Sequence, residues 1–482
     1  MAIEVTRVES YVTNLRRRMA FHFGNVSLTE GPHHFLDLEL EIDGKRAEGI
    51  SMVGMAPMWF LKDPGLSLAD ATDCLLGVFD AAKEHALEAD PAPTVFDLWY
   101  KIYERQREWA EGTDHPPLLW AYGVSMIEQG LLDAVCRHEG VTFARAVREE
   151  RLGIDPGRIY PELEGESISE YLPAEPTREA AVRHTVGLTD PLRDADLEPD
   201  DRLDDGLPQT LEEYIERDGV DHFKIKLSAD PERDSNRLAT IGEVLEESSL
   251  EEWVCTVDAN EQYETVATFK NQWRTHADDP SLSAVLDAVA YVEQPLPRDQ
   301  AFTDQTREVL SDWVDRPAII IDESDDRLRS VGRALDCGYA GASHKNCKGV
   351  FKGVVNACLL EKRRREDDRT YVQSGEDLTT IGPVELLHDL AVMGTLGIDD
   401  IERNGHHYYR GLEYLPDDQQ RRVLEAHSDL YRRHEDGFPT LNIDGGRIVF
   451  DSVIDAPFGR DFNLDPSRFT PRSAWTVESA FE

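Results

Sequence analysis

Lysine is scarce in this chain. Only 11 of its 482 residues are lysine, against 40 arginines, while Asp and Glu number 95 and leave a formal net charge of −44. Such an acidic surface repels nucleic acid phosphates and anionic lipids, so we expect neither nucleic acid nor membrane as a partner. The acidic residues are spread along the whole chain, as in proteins of cells that hold molar salt, where a Debye length of about 3 Å screens the repulsion.

Long apolar runs are missing as well. No stretch approaches the roughly 18 apolar residues of a membrane-spanning helix. The opening MAIEVTRVESYVTNLRRRMAF lacks the apolar centre of a signal peptide. We therefore expect a cytoplasmic protein, in a high-salt cytoplasm. The six cysteines show no CxxC or zinc-type spacing, which predicts reduced and buried thiols.

The pattern of apolar residues divides the chain into three parts. Residues 1–160 begin with alternating segments around a DGK turn and continue into LLWAYGVSMIEQGLLDAVCRHEG, whose apolar residues fall on one helical face, so this part is predicted to be an α+β domain. Residues 175–408 form a second predicted domain. Residues 409–482 hold one predicted helix, PDDQQRRVLEAHSDLYRRH, and one extended segment, GGRIVFDSVID, which must pack against the rest of the protein.

The second domain alternates short β-branched runs with helical stretches, and the runs begin roughly 23 to 35 residues apart, the pitch of a βα unit. Eight strands favour a (β/α)₈ barrel over an open sheet. The predicted strands are AVRHTVGL (181–188), 222–227, 253–258, 288–293, 318–322, 341–345, 370–374 and 399–402.

Charged residues stand at the C-terminal ends of successive runs, where a parallel barrel carries its chemistry. Asp258, Glu293 and Asp322 end three adjacent strands, and period-two alternation places Asn260 on the same face as Asp258. Three oxygen ligands from three strands suit Mg²⁺, with Mn²⁺ as a substitute, and three converging carboxylates without a cation would repel one another.

Lysines flank these carboxylates. Lys224 and Lys226 lie on one face of the strand HFKIKL, and Lys345 ends the sixth predicted strand. Arginine stays protonated, whereas a crowded lysine can release its proton, so a chain that otherwise uses arginine would keep lysine where a base is required. The charge of Lys224 would favour a neutral Lys226 and thus its role as the base.

The ordered set KIK, DAN, EQP, DES and HKNCKG resembles the enolase superfamily, most closely its mandelate racemase/muconate-lactonizing type. The resemblance implies a TIM-like barrel with an α+β capping domain built from N-terminal and C-terminal segments. It implies Mg²⁺ on Asp258, Glu293 and Asp322, with Asp322 preferred to Glu323 by spacing. It also implies Lys226 and Lys345 as acid/base groups on opposite faces, with Lys224 assisting, and an enediolate formed by removal of the proton alpha to a substrate carboxylate.

The sequence also departs from the family pattern. The seventh strand, YVQSGEDLTT, lacks the histidine of the mandelate racemase and acid-sugar dehydratase branch. Glu376 could instead face the substrate. The eighth, IERNGHHYY, offers Glu402, His406 and His407 as substrate contacts, and a His-His pair can also bind metal. Phe21, His22, Phe23, Trp59 and Phe60 lie where capping loops could close over substrate.

These observations favour an isomerase, that is a racemase, epimerase or cycloisomerase, acting on a small-molecule carboxylate, and we expect a homo-oligomer. An acid-sugar or hydroxy-acid dehydratase on the same site is the alternative. A Schiff-base lysine aldolase and a non-catalytic barrel remain further alternatives.

Overall fold

A long antiparallel sheet opens the chain. The computed structural model describes residues 2–23, 26–63 and 65–480. Strands β2 and β3 are joined by a two-residue hairpin whose Asp43 and Gly44 both have positive φ, as the Asp-Gly hairpin turn requires. Leu36, Leu38 and Leu40 alternate on the covered face of β2. The first three strands are β1 (Ile3–Phe23), β2 (Val26–Ile42) and β3 (Lys45–Gly54).

Helices cover that face of the sheet. The longest, α4, begins with Pro117 at its first position and ends at Gly140 in the left-handed conformation. A Cβ on Gly123 would lie 2.4 Å from the carbonyl oxygen of Val78, so only glycine allows α2 and α4 to approach this closely. The helices are α1 (Pro57–Phe60), α2 (Leu68–Leu87), α3 (Val95–Ala110), α4 (Pro117–Glu139) and α5 (Phe143–Arg148).

Eight parallel strands then close into a barrel. They pair in chain order, and the last pairs with the first, which confirms the predicted (β/α)₈ fold with a capping domain. The strands are β4 (Glu179–Val186), β5 (His222–Lys226), β6 (Val254–Asp258), β7 (Val289–Glu293), β8 (Ile319–Ile321), β9 (Gly341–His344), β10 (Val372–Gly375) and β11 (Asp400–Glu402). The helices between these strands are α6 (Leu211–Asp218), α7 (Pro231–Glu247), α8 (Val266–Ala277), α9 (Ser283–Leu286), α10 (Asp304–Asp312), α11 (Ser330–Cys337), α12 (Val350–Glu366) and α13 (Glu385–Leu396), and α14 (Gly405–Tyr408) follows the last strand.

The C-terminal segment packs on both earlier parts. Strand β14 pairs antiparallel with β4 of the barrel, while β15 pairs with β1 of the capping sheet. Its elements are α15 (Asp417–Ala426), β12 (Tyr431–Arg433), β13 (Pro439–Leu441), β14 (Arg447–Val449), α16 (Asp451–Asp455) and β15 (Thr470–Pro471).

Two predictions for this segment are wrong in part. The predicted helix through residue 434 ends at Ala426, because residues 431–433 pair with β13 across a turn at Glu435 and Asp436. The predicted extended segment is a strand only over β14 and continues as helix α16, because Asp429 accepts hydrogen bonds from the backbone N–H and hydroxyl of Ser452.

The cysteines and the apolar helices agree with the sequence patterns. In the described part of the chain all six cysteines are free, and all but the partly buried Cys74 are buried. Among the described residues, no helix combines the length and the apolar character needed to cross a membrane.

Candidate active site

The predicted lysines and metal-binding carboxylates meet at the C-terminal ends of five consecutive barrel strands. The register pairs Lys226 with Asp258 and Asp258 with Glu293, so these three side chains stand at the same height in the barrel. The two lysine strands enclose the three carboxylate strands. In order around the barrel the residues are Lys226 ending β5, Asp258 ending β6, Glu293 ending β7, Asp322 after β8 and Lys345 after β9.

Lys224 lies at the centre of this group and is 1% exposed. Its Nζ atom lies 2.5 Å from Glu376, 2.7 Å from Glu293 and 3.2 Å from both Asp258 and Glu402. Burial alone would lower the pKa of Lys224, but the four carboxylates outweigh burial and raise it well above its ordinary value. Lys224 is therefore a fixed positive charge. We call Lys224 and these four carboxylates the lysine-carboxylate cluster.

Lys226 is partly exposed and lies at the mouth of the barrel. Its Nζ donates to Asp258 Oδ2 at 2.6 Å and to Asn260 Oδ1 at 2.8 Å. The backbone N–H of Asn260 in turn donates to Asp258 Oδ1 at 2.8 Å, and Asn260 has a positive φ. Asn260, predicted as a substrate contact, therefore orients both Lys226 and Asp258.

Lys345 reaches the group from the other side. Its Nζ lies 2.5 Å from Asp322 Oδ2, and Lys348 and Ser343 contact the other carboxylate oxygen. Burial would lower the pKa of Lys345, but Asp322 outweighs it and raises that pKa above its ordinary value. Burial would raise the pKa of Asp322, yet Lys345 and Lys348 hold it well below its usual range. Asp322 and Lys345 thus form a buried ion pair.

Asp322 and Glu323, neighbours after β8, have different contacts. Glu323 accepts from Lys62 of the capping domain at 2.9 Å and lies 3.4 Å from the side-chain nitrogen of Asn260. Asp322 instead faces the lysines on the β9 side. Neighbouring residues after one strand therefore serve two different sets of contacts.

Glu293 provides the test of whether a cation fits here. Both its carboxylate oxygens are buried and accept no hydrogen bond from the described residues, although Oε2 lies within ion-pair distance of Lys224. Burial, followed by the charges of Asp258 and Glu376, raises the pKa of Glu293 well above its ordinary value. A carboxylate in these surroundings is stabilised as an anion by a further cation, and its hard oxygen atoms suit Mg²⁺.

The side chains are nevertheless paired with lysines rather than arranged around an ion. As positioned, the described residues contain no group of three His, Cys, Asp or Glu side chains that could hold a metal. The donor set and its buried charge suit a divalent cation, and in this structure Asp258 and Asp322 contact Lys226 and Lys345 instead.

A second group of polar residues, which the sequence patterns did not single out, lies behind the cluster. Arg183 on β4 is 1% exposed and donates to Glu376 Oε1 at 2.6 Å. Ser374 and Tyr291 contact the same carboxylate oxygen. Arg183 carries charge inside a predicted buried strand, the same signal that singled out Lys224, and that signal could have identified it.

The capping domain reaches the site through the segment that follows β3. The ring of Trp59 lies 4.7 Å from Lys345 Nζ, and the carbonyl oxygens of Trp59 and Phe60 accept hydrogen bonds from Arg298 of the barrel. Phe60 itself packs on Tyr122 inside the cap. The side chains of Phe21, His22 and Phe23 lie outside the described residues.

His407 lies among aromatic and imidazole side chains. Its Nδ1 pairs with the hydroxyl of Tyr214 at 2.8 Å, and its ring packs against His184. Among the described residues no hydrogen bond or ion pair joins His407 to the lysine-carboxylate cluster. Burial lowers the pKa of both His406 and His407 well below the ordinary value. The structure therefore offers no observation that places this pair against substrate.

No protein-family model matches the chain, and no curated protein sequence matches it significantly. Solved structures do match. A muconate lactonizing enzyme from Pseudomonas fluorescens, complexed with muconolactone, superposes with a TM-score of 0.61 at 12% identity, covering 98% of this chain and 100% of its own. A mandelate racemase/muconate lactonizing protein from Herpetosiphon aurantiacus gives a TM-score of 0.58 at 15% identity, covering 96% and 99%.

A dipeptide epimerase from Enterococcus faecalis, complexed with Mg and a dipeptide, gives a TM-score of 0.57 at 12% identity and covers 95% of this chain and 99% of its own. Coverage is nearly complete in both directions, so barrel and cap are shared together. The chain thus shares the capped (β/α)₈ fold of these solved structures, which is the fold that the resemblance in its sequence implies.

Proposed function

We propose that the protein is an enzyme that moves a proton at the carbon alpha to the carboxylate of a small-molecule substrate. The observation that carries the proposal is the placement of two lysines. Lys226 ends β5, and Lys345 comes directly after β9. These two strands are four positions apart in a closed barrel of eight, so the two lysines approach the barrel mouth from opposite walls. Three carboxylates end the strands between them.

The two lysines divide the acid and base roles. Lys345, paired with Asp322 and with a raised pKa, is held in the protonated state of a proton donor. In the direction of the reaction in which Lys345 donates a proton, the partly exposed Lys226 takes the α-proton. A proton removed on one face and returned on the other inverts the α-carbon, which favours racemisation or epimerisation.

Other residues hold these groups in place. Asn260 orients Lys226, and Lys348 with Ser343 fixes Asp322. Trp59 covers Lys345 and limits the access of water. Lys224, bound by four carboxylates, fixes Glu376 and Glu402 at the base of the site and is assigned the assisting role.

Asp258, Glu293 and Asp322 are the residues that would hold Mg²⁺, or Mn²⁺ in its place. When bound, the ion would supply a positive charge that stabilises the negative charge developing on the substrate carboxylate. The dipeptide epimerase that shares this fold is itself complexed with Mg.

The alternatives make different demands on the same residues. A dehydratase of the histidine-bearing branch would need a histidine on the seventh strand, and this strand ends instead near Glu376, held by Arg183. A Schiff-base aldolase needs one lysine nucleophile and gives no role to the three carboxylates that end the strands between Lys226 and Lys345. Isomerase chemistry uses both lysines and these carboxylates, and therefore fits best.

The experiment is α-deuterium uptake, followed by NMR in D₂O with Mg²⁺ and high KCl, across a library of racemic and enantiopure carboxylic acids. We expect at least one acid to exchange, with the product of inverted configuration. Removing the metal with a chelator should stop exchange, and Mg²⁺ or Mn²⁺ should restore it. A product that has lost water would identify a dehydratase, and inactivation by borohydride with a keto acid would identify an aldolase.

Single-lysine variants test the two roles. Lys226→Ala and Lys345→Ala should each lower the rate of inversion by at least about 100-fold, which is the usual contribution of a general acid or base. Each variant should exchange the α-proton of no more than one of the two substrate stereoisomers. The exposed Lys45→Ala on β3 is the matched control and should exchange both. If no acid exchanges, or if exchange survives in the Lys226→Ala/Lys345→Ala double variant, the proposal is wrong.

A further inference from the structure

A second cavity, of about 480 Å³, lies where β1 of the cap meets the loop after β4 and the segment after α14. Its lining contains none of the lysines or carboxylates of the candidate active site. Four arginines line it, together with two acidic residues, Asp205 and Glu413. The arginines are Arg16, Arg17, Arg18 and Arg410.

Two of these arginines are neutralised by the protein itself. Arg18 forms a two-pronged pair with Asp205, with distances of 2.7 and 2.8 Å. Arg410 pairs with Asp436 at 2.7 Å and lies 3.4 Å from Glu413. These contacts fix the walls of the cavity and account for both acidic residues in its lining.

The other two arginines of the lining are Arg16 and Arg17. In the part of the chain that the structure describes, neither Arg16 nor Arg17 pairs with a carboxylate; Arg17 donates to the backbone carbonyl of Glu30 at 2.8 Å and lies over the ring of Tyr409. Two positive charges therefore remain at this cavity, in a chain whose net charge is −44.

Two arginine N–H groups at this cavity also have no acceptor. The Nε atoms of Arg17 and Arg410 are both buried and have no hydrogen-bond partner among the described residues. They come from opposite walls, one from β1 and one from the segment after α14. A buried N–H without an acceptor is unfavourable, so an anion that enters between the two walls and accepts from both guanidinium groups would stabilise them.

We propose that this cavity binds a small, doubly charged oxyanion of the phosphate or dicarboxylate type. Arginine presents planar forked donors that match such oxygens, and two unpaired guanidinium groups balance two negative charges. The acidic surface repels anions elsewhere, so the positive field of these arginines makes this cavity the preferred place for an anion to bind. The inference is independent of the proposed function, because it uses none of the same side chains.

The test is binding by the full-length protein, measured as the rise in the unfolding midpoint with added phosphate and, separately, with succinate, at ionic strength held constant with KCl. We expect a saturable rise of at least about 2 °C with one or both anions. A preference for phosphate or for succinate identifies which of the two ligand types the cavity takes. No saturable rise with either anion overturns the proposal.

Variants locate the binding. Arg17→Gln should weaken binding at least about tenfold, and the exposed Arg16→Gln gives the same test if Arg17→Gln does not fold. Arg233→Gln, an exposed arginine on α7, removes one positive charge outside the cavity and should bind as the wild type. Lys226→Ala should also bind normally. Equal weakening in Arg16→Gln and Arg233→Gln, or loss of binding in Lys226→Ala, would place the anion elsewhere and overturn the proposal.

Discussion

Lys224 shows what a single residue does in this protein. Four carboxylates lie within 3.2 Å of its Nζ, three at the ends of β6, β7 and β11 and one directly after β10. The pKa of Glu402 is lowered to about 2: burial would raise it, and Lys224 outweighs burial. The stability of the barrel interior therefore depends on one ammonium group.

Replacing Lys224 with Met should lower the free energy of unfolding by about 3–5 kcal/mol, because removing one partner leaves the buried carboxylates without their shared cation. Urea unfolding measures the loss. Lys45→Met, exposed on β3, should stay within about 0.5 kcal/mol of wild type. Mg²⁺ should restore more stability to Lys224→Met than to Lys45→Met. A loss in Lys224→Met no larger than in the control would contradict the central role of this lysine.

At the scale of elements, α4 of the cap is joined to α12 of the barrel by Glu128. Its carboxylate accepts the backbone N–H groups of Val350 at 3.1 Å and Phe351 at 2.6 Å, at the first turn of α12. That turn follows Lys345 and Lys348 directly. Burial raises the pKa of Glu128 to about 8, even though these N–H groups and Lys352 lower it.

This raised pKa makes the junction dependent on pH. The folded protein keeps the Glu128 proton up to about pH 8, whereas the unfolded chain releases it near about pH 4.5, so folding binds a proton between these values. The stabilisation is complete below the unfolded pKa and is lost as the pH rises through the folded one. Relative to Glu128→Gln, the wild type should therefore lose on the order of a few kcal/mol between about pH 5 and pH 8.

Urea unfolding of wild type and Glu128→Gln across that pH range gives the difference, which removes the contribution of other titrating groups. Glu243→Gln, at an exposed position on α7, is the control and should follow the wild-type curve. Parallel curves for wild type and Glu128→Gln would show that this carboxyl group does not titrate with folding.

For the whole molecule, charge is the dominant property. A net charge of −44 on 482 residues produces repulsion that weakens the compact state at low ionic strength. The Debye length falls from about 30 Å at 0.01 M to about 3 Å at 1 M, so added salt removes this repulsion.

The unfolding midpoint should accordingly rise by several degrees or more as KCl increases from about 0.01 M to about 1 M. Sucrose at matched osmolality is the control, since it stabilises compact states without screening charge. A midpoint that does not change with KCl would contradict self-repulsion.

The same samples give the molar mass by light scattering, which tests the predicted homo-oligomer.

The sequence by itself determined the barrel, the order of its strands and the residues at their C-terminal ends. Strand period and strand spacing are local properties, and a charge within an apolar run stands out in one dimension. Lys226, Asp258, Glu293, Asp322 and Lys345 were found in this way, and the fold then brought their strand ends together. Their chemical roles remain proposals.

The tertiary structure alone decided which partners these residues have. Arg183 and Glu376 are 193 residues apart, and Lys62 and Glu323 are 261 residues apart. The packing also decided the neighbours of His407, which are Tyr214 and His184, and its predicted contact with substrate stays a prediction. Contacts between distant segments depend on how strands and helices pack, and no local periodicity in the sequence encodes that packing.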